Sequence, residues 1–190
     1  MKLVVGLSGG SGIVYGVRFL QVLRELNIET HLIFTAAAKK TLVLETDYSV
    51  SQVEALATRV YGVSDISAAP SSGSFKTDGM VVIPCSMKTL AGIASGYADN
   101  LLLRAADVTL KERRPLILVL RETPLNIIHL ENMLRAARAG AIIAPAMPAF
   151  YHRPKTIDDL LDHQIGKVLD LLGIEHNLFE RWEGPQQRKE

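Results

Sequence analysis

The sequence predicts one α/β domain in which a mostly parallel sheet is covered by helices on both faces. Short apolar runs typical of buried strands alternate along the chain with segments of helical periodicity. Strands that are apolar at every position indicate a sheet buried on both sides. A length of 190 residues allows one sizeable core and makes a second independent core improbable.

The chain begins with a strand, a glycine-rich turn and a helix. LVVGL (3–7) is rich in residues that favour strands, and apolar residues recur at helical spacing across 13–27. THLIFT (30–35) predicts a second strand, and AAAKKTLVLE (36–45) predicts a second helix.

A third helix, a long loop and a buried strand follow. SVSQVEAL (49–56) predicts a helix that begins with a capping box formed by Ser51 and Glu54. Residues 64–79 are rich in Ser, Ala, Gly and Pro and predict a loop, and long loops in compact domains are often functional. MVVIPC (80–85) is apolar throughout, so we expect a buried strand.

The second half repeats the alternation of helix and strand. Helical spacing is present in 87–95 and again in 100–113, and Pro115 ends the second of these helices. PLILVL (115–120) predicts another buried strand.

The last part of the chain has clear helix signals. Thr123 and Pro124 predict an N-cap and first residue of a helix, which Gly140 ends. AIIAP (141–145) predicts a fifth strand, Thr156 caps a last helix that ends near Gly173, and the polar end GPQQRKE is expected to be frayed.

Ligands of open parallel sheets bind at the carboxyl ends of the strands. Five segments occupy such positions, namely the turn after the first strand, Thr35, CSMKT, RET and PAMPAFYHRP.

Composition excludes several classes of function. A net charge of +1 without a long basic run argues against a nucleic-acid partner, and no apolar run is long enough to span a membrane. The single cysteine, Cys85, rules out an internal disulfide and suits the cytoplasm. A hydrophobic content of 48% with mean hydropathy +0.18 favours an oligomer.

The stretch GLSGGSGIVYG (6–16) fits several motifs. GLSGG matches the hydrolase nucleophile elbow at Ser8, but only seven residues precede that serine and no histidine has a distinguishing context. Gly10, Gly12 and Gly16 approximate a dinucleotide-binding turn, yet the acidic residue expected after the second strand is replaced by Thr35. An anion site at a helix N-terminus and a plain strand-to-helix turn both remain open.

Charged residues near strand ends are further candidates. Arg121 and Glu122 follow a buried strand and could bind phosphate and move a proton. Lys111 lies in a basic helix end that is more often solvated, and Glu45 could face solvent. No His, Cys, Asp or Glu group has metal-ligand spacing.

Several motifs in order resemble one family. GLSGGSGIVYGVRFLQVLRE, ETHLIFTAAAKKTLVLETD, SSGSF, PCSMKTLAGIASG, RAADVTLKERRPLILVLRETPL, HLENM and PAFYHRP are similar to the bacterial flavin prenyltransferases, the UbiX/Pad1 group. The resemblance runs from about Lys2 to Trp182, and LKERRPL, RETPL and PAFYHRP are individually specific.

The resemblance implies a Rossmann-like or flavodoxin-like three-layer domain over 1–175, with a tail over 176–190 packed partly near the site. It implies a cytoplasmic dodecamer with active sites at subunit junctions and no metal. The implied reaction transfers a dimethylallyl group from dimethylallyl phosphate to N5 and C6 of reduced FMN. The product, prenylated FMN, would serve a UbiD-type decarboxylase.

The resemblance also implies roles for individual residues. The implied flavin-binding residues are Gly10, Ser11, Gly12, Thr35, Ser86, Met87, Lys88, Thr89 and Arg121. The implied catalytic residues are Ser11, Glu45, Glu122 and Lys111. The implied phosphate and prenyl site contains Arg104, Lys111, Arg121, Tyr151, Lys167 and Trp182.

Three positions depart from the family pattern. Thr35 replaces Ser and keeps the hydroxyl, Gly10 replaces the commoner Ala, and Lys167 replaces Arg. Lysine cannot bind phosphate bidentately, so we expect weaker substrate binding. The alternatives are a cysteine-type decarboxylase, which would carry a PxMNxxMW-like segment and a histidine in the early helix, and a non-catalytic FMN-binding protein.

Overall fold

The computed structural model describes residues 1–184, and six parallel strands form its sheet. The strands are β1 (Lys2–Leu7), β2 (Glu29–Phe34), β3 (Arg59–Tyr61), β4 (Gly79–Cys85), β5 (Leu116–Leu120) and β6 (Ile142–Ile143). Their order is β3-β2-β1-β4-β5-β6, and every neighbouring pair is parallel. The predicted α/β class with a parallel sheet is confirmed.

Seven α-helices connect the strands within the described residues. They are α1 (Ile13–Glu25), α2 (Ala36–Glu45), α3 (Val50–Glu54), α4 (Met87–Ser95), α5 (Leu101–Lys111), α6 (Ile127–Arg138) and α7 (Ile157–Leu171). A short 3-10 helix, Ala69–Ser71, interrupts the predicted long loop.

The chain changes direction across the sheet between β1 and β4. After β1 it builds β2 and β3 on one side, and it then crosses back to place β4 against the other side of β1, with Val5 opposite Val81. Every residue of β4 and β5 is buried, as the apolar runs predicted. Such a reversal leaves a crevice at the carboxyl ends of the two strands, which is where ligands bind in this architecture.

Helix α1 lies directly on β4 because Gly16 has no side chain. A Cβ atom at Gly16 would be 2.5 Å from the carbonyl oxygen of Ile83 and 2.6 Å from Leu7 Cδ2. Both are closer than real contacts allow, so this glycine sets the distance between helix and sheet. The close packing fixes the start of α1 beside the crevice.

Two predicted helix caps were wrong. The capping box of α3 uses Ser49 and Gln52 instead of Ser51 and Glu54, because Glu54 accepts a hydrogen bond from the Lys39 ammonium at 2.6 Å.

The cap of α6 is Asn126, not Thr123, and Pro124 precedes the helix. Asn126 accepts from the backbone N–H of His129, whose side chain reciprocates. The apolar periodicity of the helix begins only after Asn126, so the hydrogen bonds between Asn126 and His129 determine where the first turn starts. Gly140 follows the helix with φ of 106°, as predicted.

The sheet also differs from the prediction at its two edges. The structure adds β3, whose three residues are too short to be distinguished by periodicity. The predicted fifth strand, 141–145, is reduced to the two residues of β6.

The chain forms two compact units, Met1–Ala146 and the part from Met147 onward. The second unit contains α7, which Thr156 caps as predicted, with Asp159 completing the capping box. The division falls at Ala146, and the single flavin-binding domain over 1–175 with a tail over 176–190 stays a prediction. The frayed end is predicted for residues 184–190, of which 185–190 lie outside the described residues.

Candidate active site

Ser8 joins the ends of β1 and β4 at the crevice. Its hydroxyl donates to the carbonyl oxygen of Pro84 at 2.9 Å and accepts from the backbone N–H of Ser86 at 2.8 Å. The side chain is 1% exposed. Ser8 is therefore a structural bridge with no surface to offer a substrate, which agrees with the rejection of the hydrolase motif.

The glycine-rich turn is closed by a carboxylate from α2. Glu45 Oε2 accepts from the backbone N–H of Gly12 at 2.8 Å and from that of Ile13 at 3.2 Å. Gly12 has φ of 92°, a conformation that favours glycine. The first N–H groups of α1 and its positive dipole end are thus occupied by an acidic side chain of the same chain.

The contacts of Glu45 decide its charge. Burial raises the pKa of Glu45. Hydrogen bonds from the Ser11 side chain and from the Gly12 and Ile13 N–H groups, together with the Arg121 charge, lower this pKa by more than burial raises it. The net effect holds the pKa of Glu45 below its usual value. At neutral pH this carboxyl is ionised and can accept a proton but not supply one.

Arg121 lies beside the same turn. It follows β5, and its Cγ would be 3.8 Å from a Cβ atom at Gly12. Burial raises the pKa of Tyr15, and the charge of Arg121 opposes that rise, so the phenol stays neutral beside the cation. The exposed carboxylate of Glu122 accepts from the backbone N–H of Thr123 at 3.0 Å.

Two further helices begin at the carboxyl edge of the sheet. Thr35 caps α2 by accepting from the Ala38 N–H at 3.1 Å. Ser86 caps α4 by accepting from the Thr89 N–H at 3.3 Å. Ser86 also donates to the Thr89 hydroxyl at 3.1 Å.

The first turn of α4 keeps two backbone donors free. Within the described residues, the N–H groups of Met87 and Lys88 have no hydrogen-bond partner. The Lys88 side chain is exposed at the same helix end. Free N–H groups, a positive dipole end and an ammonium are what a phosphate group requires.

Of the predicted phosphate ligands, Lys111 does not meet Arg121 within one chain, and Arg104 is bound to other groups. Lys111 is the last residue of α5, pairs with Glu112 and lies beside Gly73 in the loop before β4. That helix end leads into the amino end of β5, whereas Arg121 follows the carboxyl end, so the strand of about 16 Å separates them. Arg104 donates to Ser71 O at 3.1 Å and to Asp107 Oδ2 at 2.6 Å.

The second unit contains a cluster of rings around Tyr151. Its hydroxyl is 2.7 Å from His163 Nε2, and its ring centre lies 6.0 Å from that of Trp182. The His152 ring is stacked on that of His163 at 4.6 Å. Burial lowers the pKa of His163, and the charges of His152 and Lys167 lower it further, so the imidazole is neutral at physiological pH.

A carboxylate in the same unit binds cations on α7 and after it. Asp170 receives two hydrogen bonds from Arg181, at 2.8 and 3.1 Å, and lies 3.1 Å from His176 Nε2. Lys167 Nζ is 3.9 Å from Asp170 and more than half of its side chain is exposed. Arg181 satisfies Asp170, which leaves Lys167 available to an anion.

Comparison with known proteins identifies the family. The model of the Flavoprotein family matches residues 1–171. Flavin prenyltransferase UbiX of Escherichia coli is 55% identical over 186 residues, which cover 96% of this chain and 98% of that protein. The chain belongs to the flavin prenyltransferases of the UbiX/Pad1 group.

Solved structures of the flavin prenyltransferase group have the same fold. A dodecameric FMN-dependent UbiX-like decarboxylase from Escherichia coli O157:H7 is 56% identical, with a TM-score of 0.95 over 97% of this chain and 100% of its own. AnUbiX (PadA1), solved in complex with FMN and dimethylallyl pyrophosphate, is 52% identical, with a TM-score of 0.96 over 97% of this chain and 98% of its own. The resemblance drawn from the motifs is confirmed.

Three residues of this flavin prenyltransferase were not predicted to lie at the candidate site. Tyr15 contacts the turn from one helical turn further along α1, a position that its spacing from Gly12 could have indicated. His163 lies four residues after Asp159, a spacing typical of a surface pair, whereas the structure buries it against Tyr151. Arg181 has no motif around it, and only the structure places it on Asp170.

The described part of this prenyltransferase contains no group of three or more His, Cys, Asp or Glu residues that could hold a metal ion. In residues 1–184 no helix is both long and apolar enough to cross a bilayer. Cys85 is fully buried, and burial raises the pKa of its thiol, so it is a core residue.

Proposed function

We propose that this chain transfers a dimethylallyl group from dimethylallyl phosphate to N5 and then C6 of reduced FMN. The observation that carries the proposal is 52% identity, over 97% of the chain, to a protein solved with FMN and dimethylallyl pyrophosphate. In the first step the donor C–O bond breaks, phosphate leaves with the electron pair, and the prenyl carbon bonds to N5, which loses its proton. Protonation of the prenyl double bond then makes the second electrophilic carbon, which bonds to C6 as C6 loses its proton. The prenylated FMN then passes to a UbiD-type decarboxylase.

The residues at the crevice fit FMN. The turn at Gly10 and Gly12 has no side chains to obstruct a ring system, and the free N–H groups of Met87 and Lys88 suit the FMN phosphate. Thr35, Ser86 and Thr89 place hydroxyl groups at the same edge of the sheet. All three are among the flavin-binding residues that the family resemblance implies. Reduced FMN supplies the nucleophilic atoms when it is bound.

Ser11 and Glu45 form the proton path that we propose beside the turn. The ionised Glu45 carboxylate accepts the Ser11 hydroxyl proton, which directs the lone pairs of the serine oxygen toward the crevice. Ser11 can therefore receive a proton that substitution at nitrogen releases and relay it to Glu45. Glu122, at the end of β5, is proposed to handle the proton of ring closure.

Fixed cations stabilise the departing phosphate. Arg121 is a cation at the crevice, and the family resemblance is the ground on which Tyr151, Lys167 and Trp182 are proposed as further residues that contact the phosphate or the prenyl group. The length of β5 separates Lys111 from the Arg121 of its own chain, so we propose that Lys111, together with Arg104 on the same helix, acts in the site of a neighbouring copy. A cytoplasmic dodecamer would bring such copies together, and a dodecamer is the state of the related decarboxylase.

A mass measurement tests the function. The purified protein is incubated without oxygen with reduced FMN and dimethylallyl phosphate, and the extracted flavin is weighed by mass spectrometry. We expect the mass of FMN plus one prenyl unit, and a parallel incubation with the pyrophosphate compares the two donors. Bound FMN of unchanged mass would indicate a non-catalytic flavoprotein, and decarboxylation of a peptidyl cysteine would indicate the lyase alternative.

The role of Arg121 is tested against a matched arginine. Arg121→Ala should abolish most of the prenylation, because it removes the cation at the crevice. Arg138→Ala removes an exposed arginine at the end of α6 and should leave the rate unchanged. Equal rates in the two variants would contradict the assignment.

A further inference from the structure

The hydroxyl of Tyr151 has one hydrogen-bond partner within the described residues, and that partner is a buried histidine. Its oxygen lies 2.7 Å from His163 Nε2. The two rings are close to perpendicular, with their centres 5.3 Å apart. Tyr151 is 47% exposed whereas His163 is 6% exposed, so the histidine supports the tyrosine from beneath.

The His163 ring is held in place by aromatic neighbours. His152 stacks on it with an interplanar angle of 6° and a centre distance of 4.6 Å. Phe179 contacts it at 4.7 Å between ring centres. These contacts leave the imidazole little freedom to rotate, so Nε2 stays directed at the tyrosine oxygen.

The number of protons in this pair limits what Tyr151 can do. A phosphate dianion only accepts hydrogen bonds, and a tyrosine hydroxyl has one proton. If that proton went to His163, the tyrosine would present lone pairs to the phosphate and repel it. While the 2.7 Å hydrogen bond to His163 is kept, Tyr151 can donate to phosphate only when the histidine donates to Tyr151.

We propose that His163 is a positioning residue for the prenyl donor, whose Nε2–H donates to the Tyr151 oxygen and thereby directs the tyrosine proton to the phosphate. The proposal rests on the proposed function, in which Tyr151 contacts that phosphate. His163 touches no reacting atom. It fixes the donor direction of the residue that does.

Replacement of His163 tests the direction of this hydrogen bond. His163→Phe keeps the ring stacking and removes the Nε2–H group. We expect KM for dimethylallyl phosphate to rise about fivefold to tenfold, the effect of one hydrogen bond, with kcat changed by less than about twofold. Tyr151→Phe should raise KM similarly, and the double variant should add nothing further, because both changes remove one chain of hydrogen bonds.

Two controls separate positioning from folding. His163→Gln restores an N–H donor on a side chain of similar reach and should recover most of the affinity. Tyr61→Phe removes the hydroxyl of another tyrosine–histidine pair, in which Tyr61 lies 2.8 Å from His31 Nδ1 between β3 and β2, and should leave KM unchanged.

The possible outcomes are distinct. An unchanged KM in His163→Phe would overturn the proposal, and so would a lower KM, because it would mean that the imidazole had been accepting the tyrosine proton. Failure of His163→Gln to recover affinity would also count against it. If the wild-type protein makes no prenylated flavin, the proposed function itself fails, which is a different result.

Discussion

The two serines of the glycine-rich stretch have opposite surroundings, although they are only three residues apart. Ser8 is buried and bridges two strands, while Ser11 is exposed and hydrogen-bonded to Glu45. The G-x-S-x-G pattern selects Ser8, because the pattern depends on the spacing of residues in the sequence and carries no information on burial. The assignment of Ser11 required the family resemblance, and the contacts of Glu45 supply a physical reason for it.

Substitution of each serine should therefore affect a different property. Ser8→Ala leaves the partly buried Ser86 N–H without its acceptor and should lower the free energy of unfolding by about 1–3 kcal/mol. Ser11→Ala should leave stability unchanged and lower kcat about 10²-fold, because it breaks the proton path. Urea unfolding and flavin mass measurements check the two, and equal losses of activity would contradict the assignment.

The glycines of the same region also differ in what they tolerate. A Cβ at Gly10 would make ordinary contact with Pro84 at 3.5 Å, so Gly10→Ala should raise the free energy of unfolding by about 0.4–1 kcal/mol. Gly16→Ala would place its Cβ against Ile83 O and should cost about 3 kcal/mol. Thermal unfolding of both variants tests this, and a destabilised Gly10→Ala protein would show that the turn needs glycine there.

At the level of elements, the sequence predicted those strands and helices that the pattern of apolar residues determines. Strands such as β4 and β5 are apolar throughout and were predicted, as were the long helices α1 and α7. Periodicity does not determine β3, which exists because β2 offers an edge, nor does it choose between competing caps. The caps of α3 and α6 depend on reciprocal hydrogen bonds that several residues near each helix start could make.

The correction at α6 leads to a direct test. Asn126→Ala should lower the free energy of unfolding by about 1 kcal/mol, because it removes the acceptor for the first-turn N–H of His129. Thr123→Ala should change it by less than about 0.5 kcal/mol, since Thr123 does not cap the helix. Chemical denaturation distinguishes them, and a larger effect at Thr123 would restore the original prediction.

The link between α7 and the residues after it depends on pH. Hydrogen bonds from Arg181 and then His176, with their charges, outweigh burial and lower the pKa of Asp170 from 3.8. A lowered pKa adds stability above pH about 4, and this stability is lost as pH falls through the folded-state pKa.

Asp170→Asn should therefore be less stable than wild type by about 1 kcal/mol at pH 7, a value limited by the exposure of Arg181. The difference should shrink below pH 4, because wild type then loses the same charge. Denaturation curves from pH 7 to pH 3 at one protein concentration check this. A difference that stays constant through that range would exclude the pair as its cause.

At the scale of the whole molecule, one chain does not bring Lys111 and Arg121 together. The sequence placed Lys111 and Arg121 in one cluster because the family motifs contain both. Their separation follows from the direction of β5, since one residue precedes the strand and the other follows it. Motifs in a single sequence cannot say which copy of a symmetric oligomer supplies a residue.

Mixed assemblies test whether copies share sites. Lys111→Ala and Arg121→Ala proteins should each be inactive alone, and coexpression in one cell should recover part of the activity, because some sites then receive both cations from intact copies. The flavin product is measured after purification through two different tags. Coexpression of two differently tagged Arg121→Ala chains is the control, and absence of recovery in the mixed sample would contradict sharing.

The carboxylate of Glu45 also gives a physical reason for this glycine-rich turn to disfavour a dinucleotide. In nucleotide-binding folds the pyrophosphate occupies the N-terminus of the first helix, where backbone N–H groups bind it. Here the chain places its own anion on those groups, at 2.8 and 3.2 Å. A pyrophosphate would have to displace the ionised Glu45 carboxylate, which is also negatively charged. Glu45 thus competes with NAD-like ligands for the N–H groups of α1, whereas the N–H groups of Met87 and Lys88 in the neighbouring helix α4 are available to a single phosphate.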